Sequence, residues 1–600
     1  MKNDKSRNRW WMTPDTEPVH ESMLQVFEQI KNRDNLRLAQ ITQDVRLYGN
    51  REFAALSPGS TNFNFNSDDL LKFNLVRSIV DTLNAKVGKN RPRPVFVTDE
   101  GKWVDQQRAK GMTRAVGGEF YRNSYYDQSV QIFRDACITG TGVLKVYEAE
   151  RRVLIERVYL WELFVDAADC WYGSPRSLYQ RKAIDRSVLA EMYPDSAADI
   201  EDASPSTSAR DFVGMHSVAD RLEVVEAWHL PSSSEAEDGR HVIAISGSTL
   251  LDEPWTRDTF PFAFLNYGDP QTGFWGTSLT EDIAPQQVEL NLILEKTQEM
   301  ISLNVPRTYV PRAARISKLH VSNVPGDWVE YSGMQPPIHQ APPGLPPEYM
   351  AYADRVKADA YEGSGISQLS ASSRKPVGVD SGVALREMND LESERYYVVG
   401  RHLEKLALDT AKLVIATIKE IVAEYGEYKI QALDERGRSA TVIEWSTVDL
   451  DADSYATQLF PVGLLPTRPE ARMQTVIDLL QAGIIDGTEA QMLLDFPDTN
   501  AASASRLAPY TIVDKAIYLM LNDGMEIIPE PFWNLSYALK QAQNQYCLTG
   551  MMAEPPPEEN RELLRQFMTL TQSLMLAAEP PPVAPAPTSP VMQEPGIQPQ

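Results

Sequence analysis

Residues 275–425 decide how this chain is read: WGTSLTEDIAPQQVELNLILEKTQEMISLN (275–304), VPRTYVPRAARISKLHVSNVPGDWVEYSGMQPPIHQAPPGLPP (305–347), EYMAYADRVKADAYE (348–362), GSGISQLSASSRKPVGVDSG (363–382) and VALREMNDLESERYYVVGRHLEKLALDTAKLVIATIKEIVAEY (383–425). The pattern predicts three helices separated by two unlike interruptions. Ser278 and Glu281 stand at capping-box spacing, a helix start. Pro285 should kink that helix or restart it, and from there to Asn304 the run spans roughly 30 Å as α-helix. The first interruption is Pro-rich and locally basic, with Arg307, Arg312, Arg315 and Lys318 and no acid between Val305 and Val321. Pro346-Pro347 open a short second helix ending at Gly363. Ten of the twenty residues in the second interruption are Gly or Ser, so it cannot be rigid on its own, and it carries the adjacent cations Arg374 and Lys375. The third helix, Val383 to Tyr425, spans roughly 60 Å. Its last turns are apolar nearly all round (Leu413, Val414, Ile415, Ile418, Ile421, Val422), the mark of a helix buried among neighbours. Gly426 is its natural cap.

Upstream, helical character runs over Met23 to Tyr48, over Asp69 to Val87 and over about Trp103 to Cys137; the prolines of KNRPRPVFV (89–97) break the chain between the last two. Strands follow. VLKVYE (143–148) and RRVLIERV (151–158) read as a hairpin, Trp161 to Ser177 as an acidic, aromatic loop, and Asp185 to Tyr193 as helical. LEVVEAWHL (222–230) and HVIAISGSTLL (241–251) read as two strands flanking a polar turn, and Ser204 to Ser217 as a mobile stretch. Downstream lie a hairpin around Asp434 to Gly437 and at least two short helices within Arg468 to Met525. From Glu579 onward there are eight prolines in twenty-two residues, the composition of a disordered tail. No internal repeat occurs.

At 600 residues the chain exceeds one hydrophobic core, so two to four regions are expected. A net charge of -25 argues against a protein that grips nucleic acid by neutralising phosphates, though not against one that lets DNA slide past. Cys137, Cys170 and Cys547 lie far apart, without metal-ligand spacing, and fit a reducing compartment. The charged start has no apolar signal segment. The most apolar stretch, Leu406 to Val422, contains Asp409, Lys412, Lys419 and Glu420, which rules out a membrane span.

Catalytic signatures are missing. Gly140-Thr-Gly142 has no third glycine and precedes a strand, so it reads as a hairpin turn rather than a dinucleotide loop. Ser372 and Lys375 match S-x-x-K, but the companion motifs of the serine acylases are absent. There is no P-loop motif. Glu162, Asp166 and Asp169 could hold a divalent metal, as in a nuclease; with no remote carboxylate or histidine to join them, a solvated acidic loop is the plainer reading. The basic insert is either a solvated segment or a docking surface for an acidic partner or a DNA backbone.

Several segments together resemble the podovirus-type portal proteins of tailed phages: RDACITGTGVLK (134–145), WELFVD (161–166) with SPR (174–176) and QR (180–181), FWGTS (274–278), and DSGVALR (380–386) continuing to DLESER (390–395). Their order and the helix–insert–helix–loop–helix layout carry the resemblance, which covers about residues 65 to 450 and fades outside them. It implies an α+β, mainly α fold of wing, stem, clip and crown regions, its long helices set around the central channel of a ring, usually of twelve subunits, at one capsid vertex of the virion, assembled in the host cytoplasm. The implied division is an N-terminal helical segment (1–66), wing (67–275), stem helix (276–304), clip (305–347), second stem helix (348–363), tunnel loop (364–382), long wing helix with returning strands (383–465), crown-like helices (466–550) and a largely disordered tail (551–600). DNA passes through such a channel without sequence preference during packaging and ejection. No cofactor, metal or catalysis of its own is implied: the terminase large subunit supplies the ATP-driven force. The clip, with Arg307, Arg312, Arg315, Lys318 and Trp328, would meet terminase and then the tail adaptor, and the major capsid and scaffolding proteins would be further partners. Arg374 and Lys375 would ring the channel. A ring of about twelve copies would carry roughly -300 charges, so its wall would repel DNA rather than trap it. The alternatives are another virion structural or scaffolding protein, or the metal-dependent nuclease.

Overall fold

The computed structural model describes residues 9–14, 17–49, 73–88, 91–98, 103–171, 173–204, 220–233, 236–303, 307–309, 338–340, 347–366, 396–433, 440–450, 456–460, 477, 481, 500–551 and 555–578. The fold is mixed α and β, mainly helical. It divides into two compact units, one of residues 1–94, 115–445 and 459–462, the other of 95–114, 446–458 and 463–600. Among the described residues no helix is long and apolar enough to cross a membrane.

The first unit opens with helices α1 (Val19–Arg33), α2 (Asn35–Gly49) and α3 (Leu75–Val87); the short strand β1 (Arg93–Val97) and the helix after it both run across the division between the units. The continuous helix expected over Met23 to Tyr48 is two helices. The break falls at Asp34, whose N–H still bonds to Ile30 and Lys31 carbonyls. Helix α4 (Trp103–Arg122) and α5 (Tyr125–Thr139) likewise replace the single helix expected over Trp103 to Cys137. Ser124 turns the chain with a left-handed φ of 50°, and the Asn123 side chain accepts from Ile155 N–H at 3.2 Å, fixing the corner against a strand.

Two antiparallel sheets follow. Strands β2 (Thr141–Ala149) and β3 (Arg152–Val158) form the expected hairpin, turned by Glu150 and Arg151, both with positive φ. After β4 (Leu163–Val165) and β5 (Ser177–Asp185), helices α6 (Arg186–Met192) and α7 (Ala197–Asp202) lead to β6 (Arg221–His229), β7 (Arg240–Ile245), β8 (Ser248–Pro254) and β9 (Phe262–Asn266). The orders are β3-β2-β9 and β4-β5-β6-β7-β8. HVIAISGSTLL is thus β7 and β8, paired through a tight turn at Ser246-Gly247, not one strand. Gly140-Thr-Gly142 is not a hairpin turn. Gly140 caps α5 with φ 91° and β2 starts at once, in a corner so tight that a Cβ on Gly140 would lie 2.2 Å from the Gly276 carbonyl oxygen.

Side-chain alternation along the strands sorts the five-stranded sheet into two faces. Tyr179, Val225, Ala227, Val242 and Ala244 pack under Met23, Phe27 and Ile30 of α1 and under Trp10, whose indole donates to the Tyr179 hydroxyl at 2.8 Å. The opposite face meets α6, α7 and an aromatic cluster around Trp228 and Phe262.

Helix α8 (Leu279–Leu303) leaves this body, starting where expected: the Ser278 hydroxyl accepts from Glu281 N–H at 2.9 Å. It runs on through Pro285 as one helix. Strands β10 (Arg307–Tyr309) and β11 (Ile338–Gln340) pair with each other, α9 (Pro347–Ser364) returns along α8, and α10 (Tyr397–Tyr425) closes the unit with the hairpin β12 (Lys429–Leu433) and β13 (Ala440–Glu444). Leu413, Val414, Ile415, Ile418 and Ile421 of α10 are buried, and Gly426 caps it at φ 86° with its N–H on the Val422 carbonyl. The start expected at Val383 and the mobile stretch expected at Ser204 to Ser217 fall almost wholly outside the described residues.

In the second unit α11 (Asn500–Asp523), α12 (Leu535–Gly550) and α13 (Glu558–Ala578) share a core of Val513, Ile517, Met520, Ala538, Ala542, Leu564 and Phe567. Helix α13 corrects the expectation of a largely disordered tail from 551: EENRELLRQFMTLTQSLMLAA places Leu564 and Phe567 on one face, and burying them orders the segment. Residues 579–600 lie outside the described part.

Candidate functional site

Helices α8 and α9 pack through Leu290, Ile293, Ala353 and Val356. The small side chain of Ala353 lets the returning helix come close, and the buried positions Ile283, Gln287, Leu290 and Ile293 follow helical spacing. The pair is rooted by polar contacts that were not legible as such. Gln287 accepts from Leu75 and Val76 N–H (2.7 and 3.2 Å) and donates to the Phe73 carbonyl at 2.7 Å, so one amide satisfies the start of α3. Asp44 of α2, 2% exposed, accepts from Ser278 Oγ (3.3 Å) and Gln40 Nε2 (3.1 Å) beside the first turn of α8. Burial, with Glu281 adding repulsion, outweighs those hydrogen bonds and pushes its carboxyl up to about 7.

Apolar side chains are also exposed on both helices: Val288 and Leu292, one turn apart on one side of α8, and Met300 and Ile301 of α8 with Tyr349, Met350 and Tyr352 of α9 near the insert end of the pair. Isolated exposed apolar side chains are ordinary; a run of them on two adjacent helices marks a contact surface. Along its outer side α9 exposes Glu348, Asp354, Arg355, Asp359 and Glu362, with Arg355 4.0 Å from Asp359 and Lys357 3.4 Å from Asp354.

The insert departs and returns through one ribbon, with Arg307 opposite Gln340 and Tyr309 opposite Ile338. Arg307 is therefore placed at the ribbon's root by its backbone. Arg312, Arg315, Lys318 and Trp328 lie outside the described residues, as do Arg374, Lys375 and Ser372.

Glu162, Asp166 and Asp169 do not converge. Glu162 accepts from Gln180 Nε2 at 3.2 Å, Asp166 from Ala168 N–H at 3.0 Å and Asp169 from Arg176 N–H at 2.6 Å. Asp166 binds the loop's own backbone as in an Asx turn, and Asp169 binds the N–H seven residues on, across the loop. Among the described residues no group of three His, Cys, Asp or Glu side chains is arranged to hold a metal. Compared with protein-family models and with curated proteins, the chain matches none.

Proposed function

We propose that this chain is the subunit of a phage portal: a ring at one capsid vertex through which DNA enters and leaves, and on which terminase and then a tail adaptor dock. The observation that carries the reading is the α8–α9 pair. It leads into an insert through a two-stranded root and, among the described residues, leaves exposed a face of α8 with Val288 and Leu292 together with apolar side chains near the insert end. Repeating the chain around an axis would bury that face against the next copy, a head-to-tail contact that closes into a ring. The net charge of -25 suits a conduit, because a wall of like charge does not hold the duplex passing it, although on α9 itself Arg355 and Lys357 pair with Asp359 and Asp354. The basic composition of the insert suits an acidic partner.

The contact predicts its own disruption. Val288→Asp with Leu292→Asp, both at exposed positions, should leave the subunit folded by circular dichroism while light-scattering mass falls from that of a ring to that of a monomer. Rings of unchanged mass would remove α8 from the subunit contact.

A further inference from the structure

In the first unit a cavity of about 450 Å³ lies between the Trp228 face of the five-stranded sheet, strand β2 and the last turns of α10. One wall carries side chains of alternating charge. Lys145 Nζ of β2 donates to Gln180 Oε1 at 3.1 Å and to Glu226 Oε2 at 2.5 Å. The second Glu226 oxygen lies 3.0 Å from His241 Nε2, and His241 Nδ1 lies 2.7 Å from Glu253 Oε1. His241 sits on β7 directly opposite Trp228 of β6 and Glu253 of β8. Its ring stacks on the Trp228 indole, with centroids 5.1 Å apart and planes 6° apart, and it is 7% exposed.

A neutral imidazole has one N–H donor and one bare acceptor nitrogen, whereas an ionised carboxylate only accepts. Both ring nitrogens of His241 face carboxylates, so a neutral ring would set a lone pair against one of them. Glu226 is ionised: burial opposes its charge, but Lys145 and His241 hold it down at about 2. Around the cavity Lys182 pairs with Glu156 at 3.0 Å and Arg257 pairs with Glu420 of α10. Lys145 balances Glu226, so Glu253 faces only His241 among the wall's cations. Glu148 and Glu424 add further negative charge at the same cavity, and Tyr147 and Tyr193 are the remaining ionisable neighbours. The surplus is negative and favours the imidazolium.

We propose that His241 is a proton-dependent clamp: as imidazolium it ties the edge strand β8 to the centre of the sheet, and on losing its proton it releases Glu253 and loosens β8 at the cavity mouth. Glu253 is the partner released, because Glu226 keeps Lys145 and the Glu253 side chain, 47% exposed, turns into water at little cost. Burial lowers the pKa of His241, but its hydrogen bonds to Glu226 and Glu253 outweigh burial and raise it above the ordinary histidine value, so the release comes as pH rises.

Hydrogen exchange on the full chain from pH 5.5 to 9, corrected for the intrinsic pH dependence of exchange, tests this. Protection of residues 248–254 should fall by about 10-fold relative to β6 through a one-proton transition. Glu253→Gln, at a half-exposed position that should not disturb folding, should move the midpoint down by about one pH unit, and His241→Gln should abolish the transition. Protection of β8 that follows β6 across the whole range, or an unmoved midpoint in Glu253→Gln, would overturn the clamp.

Discussion

Asp44 shows how a single buried carboxyl sets a pH dependence. Its folded pKa of about 7 lies above its ordinary value of 3.8, so its contribution to stability is complete below pH 4 and declines as pH rises through 7. Asp44→Asn removes the charge and keeps the shape. It should flatten the fall in melting temperature between pH 5 and 8 and raise stability at pH 8 by ~2 kcal/mol; a variant that melts lower than the parent at pH 8 would show the carboxylate to be favourable there. Neither Asp44 nor Gln287 stood out in the sequence, since each sits at a helix position where a polar residue reads as surface. The same holds for Glu226 and His241. Their only signal was a charge or an imidazole at inward positions of two alternating strands, and that signal means nothing until the faces are assigned.

At the scale of elements, boundaries with local causes were legible and those with tertiary causes were not. Ser278 starts α8 through its own hydroxyl, Gly426 ends α10 in the left-handed region, and Pro92, with Pro94 inside β1, stands in the break between α3 and α4. The corners at Asp34 and Asn123 have no Gly or Pro; they form because the following helix packs elsewhere, which no window of sequence records. Helix α13 was hidden by its proline-rich neighbour. The β2–β3 tip is a further case: Glu150 and Arg151 occupy left-handed conformations that Asn and Gly prefer. Replacing them by Asn and Gly should stabilise the hairpin by ~1 kcal/mol, read as a higher melting temperature. A lower one would mean that the contact of Arg151 with the Tyr425 ring, 4.8 Å away, outweighs the strain.

For the whole molecule, the mixed architecture and the helix–insert–helix order were readable because long-period patterns and composition changes mark them. The cations assigned to the channel, Arg374 and Lys375, lie outside the described residues, and their role follows only from the proposed ring. If they brake or centre the duplex, Arg374→Ala with Lys375→Ala should change genome retention or packaged length while ring assembly stays intact; failure to assemble would give them a structural role instead. Twelve or so such subunits would present a largely negative wall with a few positive points. The central claim is the ring itself. Electron microscopy of the purified full-length chain, with mass measured on the same sample, tests it most directly. The account predicts closed rings of about a dozen subunits around an open channel. Open filaments, or a compact monomer that cleaves DNA with a divalent metal, would contradict it.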